Sequence, residues 1–195
     1  KASNKQVSSK QEYSRNSAKS SSLPDLRKYP SGTPRKKAFL RTVMPYITSQ
    51  NAAITAERNW LISKQYQGQW SPAERARLKD IAKRYKVKWS GNTRKIPWNT
   101  LLERVDIIPT SMVATMAAAE SGWGTSKLAR NNNNLFGMKC MKGRCTNAPG
   151  KVKGYSQFSS VKESVSAYVT NLNTHPAYSS FRKSRAQLRK ADQEV

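Results

Sequence analysis

Apolar positions recur at helical spacing along most of the chain. Phe39, Leu40, Val43 and Ile47 make one stripe, and Pro45 within it predicts a kink or a fresh helix start. A second helix is predicted from about Ser49 to Tyr66, with Ile54, Leu61 and Ile62 on one face. Ser71, Pro72 and Glu74 spell a helix start: a cap, a proline at the first helical position and the glutamate of a capping box. Leu78, Ile81, Ala82 and Tyr85 continue that helix. Pro97 opens a short one carrying Leu101, Leu102 and Val105, and Pro109 opens another that runs through Val113 and Ala117 to Glu120 and stops at Ser121-Gly122-Trp123-Gly124. A turn at Ser126–Ala129 and four consecutive asparagines follow. Leu135–Lys139 then reads as a strand, and Val152–Phe158 completes a small β element with it. Ser160 and Glu163 predict a second capping box, opening a helix with Val161, Val165, Tyr168, Val169 and Leu172. The chain ends in a basic helical segment with Tyr178, Phe181 and Leu188. The fold class this predicts is mainly α (α+β) with one small β-hairpin.

Residues 1–34 break the pattern. They are rich in Ser, Lys, Asn and Gln, and read as a flexible basic tail or linker, because so few large apolar residues do not offset the entropy of ordering. Only the stretch Leu23–Pro30 is expected to pack locally. The start, Lys1-Ala2-Ser3, has no Met and no apolar stretch and shows no signal peptide, which a cleaved mature form or a trimmed chain would equally show. Residues 35–96 are expected to form a helical region packed on a domain of residues 97–195.

Charge narrows the partners. Among 195 residues, Lys and Arg number 36 and Asp and Glu 11, a formal net charge of +25. Such a surplus calls for an anionic partner: nucleic acid, an anionic membrane surface or bacterial cell wall. The basic residues spread along the whole chain, with no zinc-finger spacing, basic heptads or RNA-binding aromatic motif, which argues against specific nucleic-acid recognition. No apolar run reaches the roughly 18 residues of a membrane span. One His and two Cys leave too few ligands for a dedicated zinc site, and no cofactor motif is present. Cys140 and Cys145 flank a glycine-containing turn. They read as a disulfide in an oxidising compartment, or as two free thiols in a reducing one.

With so few acids, each can be weighed for catalysis. Glu74 and Glu163 are caps, and Glu57, Asp80 and Glu103 sit beside Arg or Lys on helix faces. Glu120 differs. Counting back by fours aligns it with Met116 and Met112, on what should be an apolar face at a helix end with Trp123 near. Desolvation there would raise the carboxyl pKa, and the helix C-terminus pushes the same way. A carboxyl that keeps its proton at neutral pH is what a general acid for glycosidic cleavage needs. The plainer alternative is an ion pair with Lys127 or Arg130 across the turn.

Ala119-Glu120-Ser121-Gly122-Trp123-Gly124, followed by Asn133-Asn134-Leu135-Phe136-Gly137-Met138-Lys139, resembles the glucosaminidase family, glycoside hydrolase family 73. Flagellar rod-cap muramidases and bacterial autolysins share the pattern. Tyr155, Phe158-Ser159-Ser160, Glu163-Ser164, Tyr168 and His175-Pro176-Ala177-Tyr178 continue it, so the resemblance covers about residues 97–190. It implies a lysozyme-like, mainly α domain with a small β-hairpin lobe over a cleft. It also implies cleavage of the N-acetylglucosaminyl-β-1,4-N-acetylmuramic acid bond of peptidoglycan, with Glu120 as general acid. Trp123 is implied either as core or as a sugar-stacking face. Asn134 is expected to orient backbone or an acetamide, and Phe136 to line the lobe core or the cleft. Tyr155 and Tyr168 are candidates for the cleft, although Tyr168 fits a packed helix face better. The implied setting is the periplasm or cell envelope, with peptidoglycan strands as partner and a monomeric chain.

The sequence departs from the family twice. Several members carry a second Glu in the β lobe, whereas residues 121–162 here hold no Asp or Glu. The remaining routes are attack by the sugar's own acetamide, a water held by neutral side chains, or cyclisation to an anhydro sugar. Relatives also continue to a Y-A-T-D-P-x-Y motif, which the end Ala191–Val195 lacks; a trimmed chain with an incomplete cleft is the expectation. The competing reading is a non-catalytic wall- or partner-binding protein on the same fold, and a nucleic-acid binder stands third.

Overall fold

The computed structural model describes residues 23–145, 148–192 and 195. Residues 1–22, the bulk of the expected tail, lie outside the described residues. What is described is mainly helical: α1 (Thr33–Lys64), α2 (Pro72–Arg84), α3 (Trp98–Arg104), α4 (Thr110–Ser121), α5 (Lys127–Asn132), α6 (Val161–Thr174) and α7 (Ser179–Lys190). Two 3-10 turns, Leu26–Lys28 and Pro176–Tyr178, complete the order. Among the described residues no helix is long and apolar enough to cross a membrane.

Local chemistry accounts for most boundaries. Ser71 and Glu74 form the predicted reciprocal capping box, with Pro72 at the first helical position of α2. Ser160 Oγ accepts from the Glu163 amide at 3.1 Å, but the glutamate reaches back to Ser159 rather than to Ser160. The Ser159 hydroxyl and amide hold the Glu163 carboxyl below its usual range. Of the two expectations at Pro45, the fresh helix start does not occur: α1 runs through it as one helix of 32 residues. The proline removes one backbone hydrogen bond. Full burial of Phe39 and Val43 before it, and of Ile47, Ile54 and Leu61 after it, holds the helix on both sides.

The chain divides into two compact units, each drawn from both halves of the sequence. One comprises the described residues up to Tyr46 together with Ala114–Val165; the other comprises Ile47–Val113 and the residues from Ser166 onward.

In the first unit the expected β-hairpin lobe is absent. Leu135–Lys139 and Val152–Phe158 share one isolated antiparallel bridge, between Lys139 and Tyr155, and no strand forms among the described residues. Two features explain this. Gly137, Gly143, Gly150 and Gly154 take positive φ, which interrupts extended backbone. Two backbone hydrogen bonds do join the segments, from the Cys140 amide to the Gly154 carbonyl and from the Ser156 amide to the Met138 carbonyl, and asparagine side chains supply the rest. Asn132 and Asn134 side-chain amides donate to the carbonyls of Val152, Met138 and Ser156, and Asn133 donates to that of Phe158. The local 3-10 turn packs as expected, with Leu26 fully buried and Arg35 donating to the carbonyls of Leu26 and Tyr29.

In the second unit the segment between α3 and α4 is tied down by polar side chains. Asp106, 1% exposed, accepts from both Nε and Nη2 of Arg189, at 2.9 and 2.7 Å. Arg58 lies 3.5 Å from the same carboxylate and Arg185 3.9 Å. Those two guanidiniums also donate to the carbonyls of Glu103, Val105, Asp106 and Ile107. Burial pushes the Arg185 pKa down to about 10, with Asp106 opposing the shift.

Candidate active site

Glu120 closes α4, and α4 is built from small residues. Its buried face is Val113, Ala114, Ala117, Ala118 and Ser121. Glu120 and Met116 share a face as expected, but the burial expected of that face is corrected: Met116 is 37% exposed and Glu120 is exposed on the same side. The desolvation expected of Glu120 does not arise, because the helix buries its alanine stripe rather than its methionine stripe. The alternative ion pair is not formed either. Among the described residues Glu120 makes no ion pair, and Arg130 donates instead to the Thr125 carbonyl at 2.9 Å.

The turn after Glu120 is fixed backbone. Gly122, Trp123 and Gly124 all take positive φ, 53°, 54° and 78°, which reverses the chain in three residues. Ser121 Oγ donates to the Ala117 carbonyl and accepts from the Gly124 amide at 2.9 Å. Gly124 has no room for a side chain, since a Cβ there would meet Leu26 Cδ1 at 2.5 Å. Trp123 is half-buried, its ring edge-on to Phe39 at 5.6 Å and 82°, with Lys36 Nζ 5.1 Å from the ring centroid.

Facing the carboxyl is Gly137. A Cβ at that position would stand 3.1 Å from Glu120 Oε2 and at φ +65°. The glycine thus keeps the space beside the carboxylate open. Asn134 holds the segment that carries it. The Asn134 amide is buried; its Nδ2 donates to Met138 O at 2.8 Å and Ser156 O at 3.0 Å, and its Oδ1 accepts from the amides of Phe136 and Met138. Of the two roles expected for Asn134, the one present is orientation of backbone. Phe136 is buried, and Tyr155 is half-buried at the single bridge. Tyr168 is 6% exposed within the second unit, as a packed helix face requires.

Cys140 and Cys145 form a disulfide with Cα atoms 5.3 Å apart. Between residues 121 and 162 lie eight Lys and Arg and no acid, so Glu120 has no second carboxylate close in sequence. No group of three His, Cys, Asp or Glu placed to hold a metal occurs among the described residues. Sequence reasoning passed over Gly137 as the neighbour of the carboxyl and Asp106 as a buried charge. The left-handed stop of the helix and the strand-like L-F-G were the signals available for the first.

Glu120 thus stands exposed at the end of α4, with Gly137 beside its carboxyl and basic residues around it in sequence. The sequence profile described as Glucosaminidase, mannosyl-glycoprotein endo-beta-N-acetylglucosaminidase, matches residues 97–194, and the chain belongs to that family. Membership supports a glycosidase of the general peptidoglycan-hydrolase type. No solved structure matches the chain.

Proposed function

We propose that the protein cleaves the β-1,4 bond between N-acetylglucosamine and N-acetylmuramic acid in peptidoglycan, with Glu120 as general acid. The observation that carries this reading is the Glu120 carboxyl itself. It is exposed, has no ion pair among the described residues, and is flanked by a glycine that leaves it room. In this mechanism Glu120 gives its proton to the glycosidic oxygen as the C1–O bond breaks. The acetamide oxygen of the same sugar attacks C1, and water then opens the cyclic intermediate, returning a proton to Glu120. That route needs one carboxyl, which suits a chain with no acid between residues 121 and 162.

The half-buried rings of Trp123 and Tyr155 are the substrate-contacting aromatics of this reading. Asn134, Phe136 and Tyr168 are buried and support the frame. The disulfide supports an oxidising compartment, the periplasm or cell envelope, and the +25 charge supports adhesion to polyanionic wall as a monomer. The stretch from Leu23-Pro24-Asp25 to Arg104–Pro109 resembles the bacterial Bax protein, which fits the same setting.

The absence of a second acid also favours a second reading, a non-catalytic wall-binding protein on this fold. Borohydride reduction and mass spectrometry of fragments released from purified peptidoglycan separate them. N-acetylglucosaminitol at the new end is the expected result. Muramitol or anhydromuramic ends would overturn the bond assignment, and no release would favour the binding protein.

A further inference from the structure

One stretch of the second unit concentrates aromatic and cationic side chains away from Glu120 in sequence. Residues 60–98 hold four of the five tryptophans, and ten Lys and Arg against two acids. Trp60 on α1, Trp70 before α2 and Trp98 at the start of α3 form a row of rings. Trp60 and Trp70 lie 6.2 Å apart at 80°, Trp70 and Trp98 6.3 Å apart at 35°. All three are only half-buried. The Arg77 guanidinium sits 4.4 Å from the Trp60 ring centroid and Lys64 Nζ 5.9 Å from it. Lys64 is bound to Glu74 at 2.5 Å, while Arg77 has no ion pair among the described residues. Just after α1 stands Tyr66, 99% exposed, at φ 68°. A bulky residue rarely takes that conformation, and no packing of the ring rewards it here.

We infer that this row is a second carbohydrate-binding site, a platform for an anionic glycan strand. Aromatic faces take the apolar faces of sugar rings out of water, and the Arg77 guanidinium on Trp60, with no ion pair among the described residues, pairs with carboxylates of the strand. The charge balance of the stretch is complementary to such a polyanion. The ligand class rests on the glycan reading given above. Single-stranded nucleic acid shares the stacking and charge chemistry, but the chain's membership of a glycan-cleaving family favours the sugar polymer.

The test uses the full chain with Glu120→Gln, which keeps the wall intact during binding. Tyr66→Asn with Arg77→Gln is added in one variant and Lys183→Gln, an exposed charge outside the stretch, in the control. Asparagine tolerates the left-handed backbone, and both replaced side chains of the test variant are exposed, so folding is checked by an unchanged melting point. The platform predicts about a five- to tenfold loss of co-sedimentation with purified peptidoglycan for the double change. It predicts little loss for the control, and a shift of tryptophan emission when soluble anionic glycan fragments are added. Equal retention in all three proteins would overturn the inference. Equal loss in the control would overturn it too, by showing diffuse charge. Loss of affinity for a single-stranded oligonucleotide with retention on peptidoglycan intact would reassign the row to nucleic acid. If the wild-type chain releases no fragments and the double change still loses retention, the enzyme reading fails and the platform stands.

Discussion

Glu120 and Asp106 are carboxylates 14 residues apart, and they live under opposite conditions. Asp106 is 1% exposed, with Arg189 gripping both oxygens and Arg58 and Arg185 beyond. Glu120 is exposed and has no ion pair among the described residues. In a chain of 36 cations and 11 acids, partners for a carboxylate are plentiful. An acid left without one therefore differs in kind from one that is enclosed by them. The buried acid organises backbone: the guanidiniums around it also hold the carbonyls that lead into α4. The open acid is the one proposed to meet the substrate.

The largest expected effect breaks the buried side of this contrast. Asp106→Asn leaves clustered guanidiniums without their counter-charge and should cost about 3–5 kcal/mol, read by urea denaturation. A loss below about 1 kcal/mol would mean the backbone hydrogen bonds, not the charge, hold the segment.

Gly137→Ala sharpens the open side. The added Cβ would stand 3.1 Å from Glu120 Oε2 at φ +65°, so the carboxyl must shift. About a tenfold fall in cleavage rate, with about 1 kcal/mol lost from stability, is expected. An unchanged rate on peptidoglycan would show that Glu120 needs no clearance there. Smaller still, Lys127→Gln should alter stability by less than about 0.5 kcal/mol, since this exposed lysine does not pair with Glu120. A thermal melt of the variant at low salt checks this.

Glu74 gives the smallest effect and a sign. Its carboxyl is lowered from 4.5 to about 2, first by Lys64 and then by the Ser71 amide. A lowered folded-state pKa contributes stability that is full above the unfolded value and fades as pH falls toward about 2. Melting points of the wild type should therefore drop across that window more than those of Glu74→Gln. Parallel curves for the two proteins would assign the acid sensitivity elsewhere.

Much of this was legible in local signals. Ser71-Pro72-Glu74 announced α2, and Gly122 and Gly124 announced the reversal after Glu120, because caps and left-handed turns are chemistry within four residues. The helix through Pro45 was not legible, since its support comes from tertiary burial of Phe39, Val43 and Ile47. The missing hairpin has a similar cause: Leu135–Lys139 has strand composition, but positive-φ glycines at 137 and 154 limit the pairing to one bridge, and the asparagine side chains at 132–134 tie the segments together beside it. Asp106 escaped notice because Arg185 and Arg189 are 79 and 83 residues away along the chain. For the candidate site, family motifs singled out Glu120, and the spacing around a glycine-containing turn offered Cys140 and Cys145 as a disulfide, while the amphipathic count misjudged which side of α4 is buried. A run of alanines carries no strong apolar moment, so methionines drew the stripe to the wrong face.

The central claim is that Glu120, and no enclosed acid, performs the chemistry. The direct measurement is the initial rate of fragment release from purified peptidoglycan by the wild type and by Glu120→Gln, with melting points in parallel. The account predicts at least a hundredfold fall for the variant at an unchanged melting point. Release by Glu120→Gln at or near the wild-type rate would contradict it.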